Sequence, residues 1–273
     1  MTAHTLNQRD IDFLLYEFLD TEELLERPRY SDHSRESFDA TISGVRDIAT
    51  NFYANHYQEG DEDEPRFENG TVRLIPPIKA AWDATVEFGL LGASYDFDEG
   101  GVQLPDVICK VAGGLIQAAN SGSSGYYFVT NAASNLIRTF GSEQQKSQFL
   151  APMIDGRCTG TMALTEPSQG STLADITTSA HLNTDNSYLI RGQKIYISNG
   201  DHSLSENIVH LVLARIEGAP RGTRGISLFI VPKFLVDRDG TIGARNDVAL
   251  AGLLHKMGNK SATSTVLNFG ENR

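Results

Sequence analysis

Residues 162–171, MALTEPSQGS, place a threonine, a carboxylate, a proline, a glycine and a serine at the end of an apolar run. Pro167 restricts Glu166 to extended backbone, so the strand that begins in this run persists into the following loop. Gly170 permits close backbone approach and Ser171 adds a hydroxyl, a pair suited to a phosphate or the polar edge of a ring. Thr165 projects a second hydroxyl beside the strand end. Further on, residues 194–200, KIYISNG, form a strand that carries Tyr196 and ends in Ser198, Asn199 and Gly200. Two strand ends, each with a hydroxyl and one with an aromatic plane, can border a flat heteroaromatic ligand. Ordinary hairpin-turn chemistry is the alternative reading of the same residues.

The elements that must position these ends divide near residue 155. Before it the patterns are helical. Ile11, Leu14, Leu15, Phe18 and Leu19 follow a 3.6-residue period and predict one apolar stripe. Residues 34–57 predict a helix with Phe38, Ile42, Val45, Ile48, Ala49 and Phe52 on one face. Pro76-Pro77 opens a third helix, closed by Gly89. Residues 96–105 are a turn-rich loop, and 106–119 and 122–140 read as helices, the former with a small Gly113-Gly114 step that lets another helix approach. Ser142 is a candidate N-cap for EQQKSQFLAPMI. After Gly156 come short β-branched and aromatic runs separated by turn clusters. The fold expected is α+β: an all-helical domain over 1–155, then a mainly antiparallel β-barrel or sandwich over 156–273.

The formal net charge of −12 argues against a broad nucleic-acid surface. No apolar run is long enough to span a membrane, and the N-terminus lacks the pattern of a secretory signal. Cys109 and Cys158 have no metal-ligand spacing and read as buried free thiols of a cytoplasmic protein. No metal site is expected. The acidic run at 59–64, EGDEDE, reads as a solvated loop.

TMALTEPSQGS followed by GQKIYISNGDH resembles the paired flavin-contact segments of the acyl-CoA dehydrogenase family. The resemblance runs from the helical arm to HKMG at 255–258, and within the family it is greatest to the branch that includes methylthiopropanoyl-CoA dehydrogenases. It implies FAD as cofactor. Thr165 would then hydrogen-bond the isoalloxazine, and Leu164 would offer main-chain contacts to its pyrimidine edge. Gly170 and Ser171 would lie by the pyrophosphate or the start of the pantetheine. Tyr196 would pack on the ring face away from substrate, Ser198 would approach N5, and Met162 stands where other members have an aromatic residue.

The implied reaction is α,β-dehydrogenation of an acyl-CoA thioester, with removal of the α proton and transfer of a β hydride to flavin N5. The implied partners are an acyl-CoA, an electron-transfer flavoprotein or similar acceptor, and other copies of the chain in a homo-oligomer. In the family the catalytic glutamate lies in a C-terminal helical bundle, which is expected to be supplied outside these residues, in the same or another chain. No catalytic base is therefore assigned here, and Glu166 is read as structural. An acyl-CoA oxidase-like enzyme and a non-catalytic flavin-binding or assembly module are the alternatives. His202 beside the flavin edge, His255 at a subunit or CoA contact, and Arg221, Arg224 and Lys233 at CoA phosphates are subsidiary candidates.

Overall fold

The computed structural model describes residues 6–237 and 239–271. Its first part is helical: α1 (Gln8–Asp12), α2 (Arg35–Ile48), α3 (Tyr57–Glu62), α4 (Pro76–Glu87), α5 (Asp106–Ala119), α6 (Gly125–Phe140), α7 (Glu143–Gln145) and α8 (Ala151–Ile154). Ser34 and Ser37 form a reciprocal capping box at the start of α2. Phe38, Ile42, Val45 and Ile48 then recur on one buried face. That face packs with Ile108, Ala112, Leu115 and Ile116 of α5 and with Ile78, Ala81 and Trp82 of α4 in one core. Gly113 brings α5 against α6, since a Cβ there would meet the Phe128 ring at 3.1 Å.

The predicted stripe near the N-terminus is only half buried. Ile11 and Leu15 enter the core, whereas Leu14, Phe18 and Leu19 are exposed. After α1 the chain widens into a π-helical segment, Phe13–Phe18. Its i→i+5 spacing rotates later residues off the 3.6-residue stripe. The acidic run is also not a free loop. Residues 57–62 are helical, and Asp61 and Glu64 face Lys260 at 3.8 and 3.5 Å. An antiparallel hairpin, β1 (Arg66–Glu68) and β2 (Thr71–Arg73), interrupts the helices. Its turn is Asn69-Gly70, both with positive φ, the conformation that this dipeptide favours.

The second part is a curled mixed sheet of β3 (Cys158–Ala163), β4 (Ser179–Leu182), β5 (Tyr188–Ser198), β6 (Asn207–Ile216), β7 (Ile226–Pro232), β10 (Val248–Leu253) and β11 (Ser264–Phe269). A separate hairpin joins β8 (Phe234–Val236) to β9 (Ile242–Arg245). Most pairings are antiparallel, as expected, but β6 runs parallel to both β3 and β4. β3 pairs with the first half of β6, up to Ala163 opposite Val212, and β4 with its end, Ser179 opposite Arg215. On the other side, β4 pairs with β5, and the Ile195 N–H donates to the Thr165 carbonyl at 2.9 Å. Thus β3 and β4 share one lane between β6 and β5, and residues 164–178 leave that lane and return to it.

Helices and sheet meet where α6 crosses β3. Gly160 makes this crossing close: a Cβ there would fall 2.4 Å from the Ala133 Cβ and 2.7 Å from the Met153 Cε. Tyr126 adds a hydrogen bond from its hydroxyl to the Ser261 carbonyl. Among the described residues no helix is long and apolar enough to cross a membrane. Gly160→Ala is expected to lower stability by about 1–3 kcal/mol through overpacking. Gly258→Ala, where no atom lies within 4 Å of the added Cβ, serves as the near-neutral control in the same denaturant titration.

Candidate functional site

The excursion at 164–178 is closed at its neck by one side chain. Glu166 is 3% exposed. Its Oε2 accepts from the Thr177 N–H and hydroxyl, both at 2.7 Å. Its Oε1 accepts from the Thr178 N–H at 2.9 Å and hydroxyl at 2.6 Å. Lys194, fully buried in β5, places Nζ 3.0 Å from the same Oε1 and donates to the Leu164 carbonyl at 2.8 Å. Entrance and exit of the loop are therefore tied to each other and to β5. Gly192 lets the neck approach β5, because a Cβ there would strike the Thr178 hydroxyl.

Burial by itself would raise the Glu166 carboxyl, but the donors from Thr178 and Thr177 outweigh it and hold the group down at about 2. Burial pulls the Lys194 ammonium down, against the attraction of Glu166. Pro167 is exposed and Glu166 turns back onto Gln169, so residues 166–169 form a tight turn.

Of the residues singled out from sequence, Met162 is half-buried in β3 opposite Leu211, and Leu164 and Thr165 are half-buried just beyond that strand. Gly170 and Ser171 are exposed, and a Cβ on Gly170 would touch the Thr165 methyl at 3.9 Å. Tyr196 and Ser198 project from the end of β5 and are exposed, Tyr196 at 66%. The Lys194–Leu164 and Ile195–Thr165 bonds bring the two segments side by side at one end of the sheet.

Tyr196 has φ of 60°, a left-handed backbone that a bulky residue adopts only under constraint. The cause is a β-bulge: Ile195 and Tyr196 together oppose Val266 alone, between the pairs Lys194–Leu267 and Ile197–Thr265. The bulge re-aims the ring away from the sheet. Sequence reasoning named Asn199 at the strand end but gave it no role. It is 1% exposed with φ of 58°, and neither its Oδ1 nor its Nδ2 has a hydrogen-bond partner. Its N–H donates to the Thr263 carbonyl, and the start of α6 lies against its amide. A buried amide without partners is costly unless a ligand or water completes it. An aromatic plane, three hydroxyls, a bare glycine step and this amide make a donor set that fits a planar heteroaromatic group with a phosphate tail.

The subsidiary candidates lie elsewhere. His202 is buried under α6, edge-on to Tyr126 at 5.1 Å and 3.1 Å from the Thr159 hydroxyl. Burial, reinforced by Lys233, lowers it to about 3 and keeps it neutral. It is a core residue and not a surface or ligand-edge group. His255 pairs with Glu64 at 3.0 Å. Lys233 pairs with Asp201 at 2.6 Å at one end of β7, while exposed Arg221 and Arg224 precede its other end. The three cations do not form one cluster. Cys158 is buried and Cys109 half-buried, and burial raises their thiols to about 11 and about 12. One cavity, of about 890 Å³, lies between the β4–β5 hairpin and β7 and is lined by Tyr188, Phe229 and Phe269. A second, about 760 Å³, lies among the helices beside Lys110, Asn131 and Arg138. The paired strand ends line neither.

A helical unit followed by a curled mixed sheet, with two strand ends tied at one edge, defines the class. An acyl-CoA dehydrogenase N-terminal domain model matches residues 36–157, and an acyl-CoA dehydrogenase middle domain model matches 161–270. The chain is 40% identical over 210 residues to a 3-methylmercaptopropionyl-CoA dehydrogenase of Ruegeria pomeroyi, spanning 77% of this chain and 36% of that protein. It is 36% identical over 269 residues to a butyryl-CoA dehydrogenase of Syntrophomonas wolfei, spanning 97% and 44%. An acyl-CoA dehydrogenase of Bacillus anthracis, solved in complex with FAD, superposes with a TM-score of 0.69 at 24% identity, over 88% of this chain and 37% of that one. The chain belongs to the acyl-CoA dehydrogenase family and carries its N-terminal and middle domains. It spans less than half the length of these relatives.

The carboxyl of Glu166 lies lower in the folded than in the unfolded chain, where about 4.5 is usual. Its contribution to stability is therefore full above that range and is lost as pH falls from about 4.5 towards about 2. Glu166→Gln is expected to remove this acid-dependent component. It should also cost about 3–5 kcal/mol at neutral pH, because the buried ammonium loses its partner. Denaturant unfolding across the pH range measures both.

Proposed function

We propose that these residues form the flavin-contact part of an FAD-dependent acyl-CoA dehydrogenase that introduces an α,β double bond into an acyl-CoA thioester. The observation that carries the reading is the tie between the two motif segments, with Lys194 Nζ 2.8 Å from the Leu164 carbonyl and Ile195 N 2.9 Å from the Thr165 carbonyl. It supports a common edge for Thr165, Ser198 and Tyr196, beside Gly170 and Ser171. The family models meet between residues 157 and 161, which supports a helical domain over 1–155 and a β domain over 156–273.

FAD, when bound, supplies the two-electron acceptor. The chain's own residues bind and orient it. Thr165 and the Leu164–Thr165 backbone address the ring edge, Tyr196 covers one face, Ser198 donates from the other strand end, and Met162 backs the site from β3. Gly170 and Ser171 leave room and a donor for the phosphates. Preorganised donors of this kind favour the more negative, reduced ring over the oxidised one. The base that removes the α proton belongs to the family's C-terminal helical domain, in the same or another chain. The substrate suggested by the Ruegeria pomeroyi relative is a short thioether-bearing acyl-CoA. The acceptor is an electron-transfer flavoprotein or a similar carrier. We propose that the protein is cytoplasmic, a reading supported by its two free cysteines, and that it forms a homo-oligomer, as the family resemblance implies.

The test is to purify the chain alone and together with the C-terminal helical domain, and to measure bound flavin by absorbance and its bleaching by acyl-CoA. The chain alone is expected to hold FAD weakly and to show no turnover, and the combination to be reduced by acyl-CoA. Absence of flavin binding in the combination overturns the reading. Within the loaded protein, Thr165→Ala or Ser198→Ala is expected to slow flavin reduction roughly tenfold or more. Unchanged reduction in stopped flow for both removes these hydroxyls from the site.

A further inference from the structure

The buried ion pair lies behind the proposed flavin contacts, and its geometry assigns it a task distinct from holding the sheet together. Lys194 Nζ has two acceptors, the Glu166 carboxylate and the Leu164 carbonyl. The carboxylate is itself fixed by four bonds from Thr177 and Thr178. The ammonium is thus a rigid donor aimed at one peptide group. A trans peptide is planar, with its carbonyl and N–H pointing in opposite directions. Fixing the Leu164 oxygen towards the ammonium therefore fixes the Thr165 N–H away from it. The next carbonyl, that of Thr165, is held by the Ile195 N–H. Both carbonyls flanking the Thr165 side chain are in this way anchored to β5, the strand that carries Tyr196 and Ser198.

We propose that Lys194, held by Glu166, is a positioning residue that sets the direction of the Leu164–Thr165 peptide towards the flavin and thereby tunes the bound flavin's potential. The inference rests on the flavin reading above. It differs from a purely structural role in what it touches: Lys194 reaches past its ion-pair partner to a backbone group of the contact segment.

Two variants separate the roles. Lys194→Met removes the donor but leaves the Glu166 carboxylate with its four threonine bonds, so no charge is stranded without partners. The double change Glu166→Gln with Lys194→Met removes both charges at similar volume. In the FAD-loaded protein, prepared with the helical domain, each is expected to weaken FAD binding at least tenfold. Each should also move the flavin midpoint potential to more negative values and shift its visible absorption band, with an unaltered far-ultraviolet circular dichroism spectrum. Folded variants whose potential, spectrum and FAD affinity match the unmodified protein overturn the proposal, even if they melt earlier. Failure of both variants to fold assigns the pair to folding and also overturns it. Failure of the unmodified protein to bind FAD instead strikes the functional reading itself.

Discussion

The carboxylate of Glu166 is the constraint on which the β domain's working end depends. It accepts four hydrogen bonds from two consecutive threonines and meets a fully buried ammonium. Such a charge pair is expensive to desolvate and tolerable only when every lone pair is used. Here they are used to join three pieces of chain that are distant in sequence: the end of β3, the return into β4, and the middle of β5. Without that junction the lane shared by β3 and β4 would have a gap, and the Ile195–Thr165 backbone bond would be left to tie the two motif segments.

The helical domain and the sheet are joined by a second set of contacts at the start of α6. Tyr126 reaches Ser261, Ser121 reaches Asn259, and His202 packs its ring against Tyr126. Lys260 and His255 meet the acidic residues Asp61 and Glu64. The loop between β10 and β11 therefore docks on the helices through both buried and exposed polar contacts. Asn199 sits in the same seam with an unpartnered amide, next to Ser198, so the junction of the domains and the candidate cofactor edge are neighbours.

Much of this was legible in the sequence where one local rule dominates. The 3.6-residue period over α2 and the Pro-to-Gly span of α4 match the elements found, whereas the helix expected to run on to residue 57 turns π-helical at Ala49–Tyr53, and that change of spacing leaves Phe52 exposed. The succession of helices and then strands followed from residue type alone. Other features depend on partners that sequence does not display. The π-helical turn that exposes Leu14 and Phe18 is a backbone adjustment with no residue signature of its own. The β1–β2 hairpin did have a signal, Asn69-Gly70 between alternating residues, that the sequence reading did not use. The parallel pairing of β3 and β4 on β6 is non-local. So is the bulge at Tyr196, which is defined by the count of residues on the facing strand. At the candidate site the types and order of residues pointed to the two strand ends. The role of Lys194 and the burial of His202 required knowing what lies across the sheet.

The split lane has an evolutionary corollary. Glu166 and the two threonines seal the neck of segment 167–176, which is held to the sheet beyond the neck by the bond from Arg215 Nη2 to the Ala174 carbonyl and by buried Ile176. Closing a longer loop across an already sealed neck adds little entropic penalty, since that penalty grows only with the logarithm of length. Changes in the length of this segment between homologues are therefore expected to leave the register of the strands beneath it intact. The acceptable edits end abruptly at Glu166 and Thr177, where a single lost oxygen or hydroxyl reaches the frame itself.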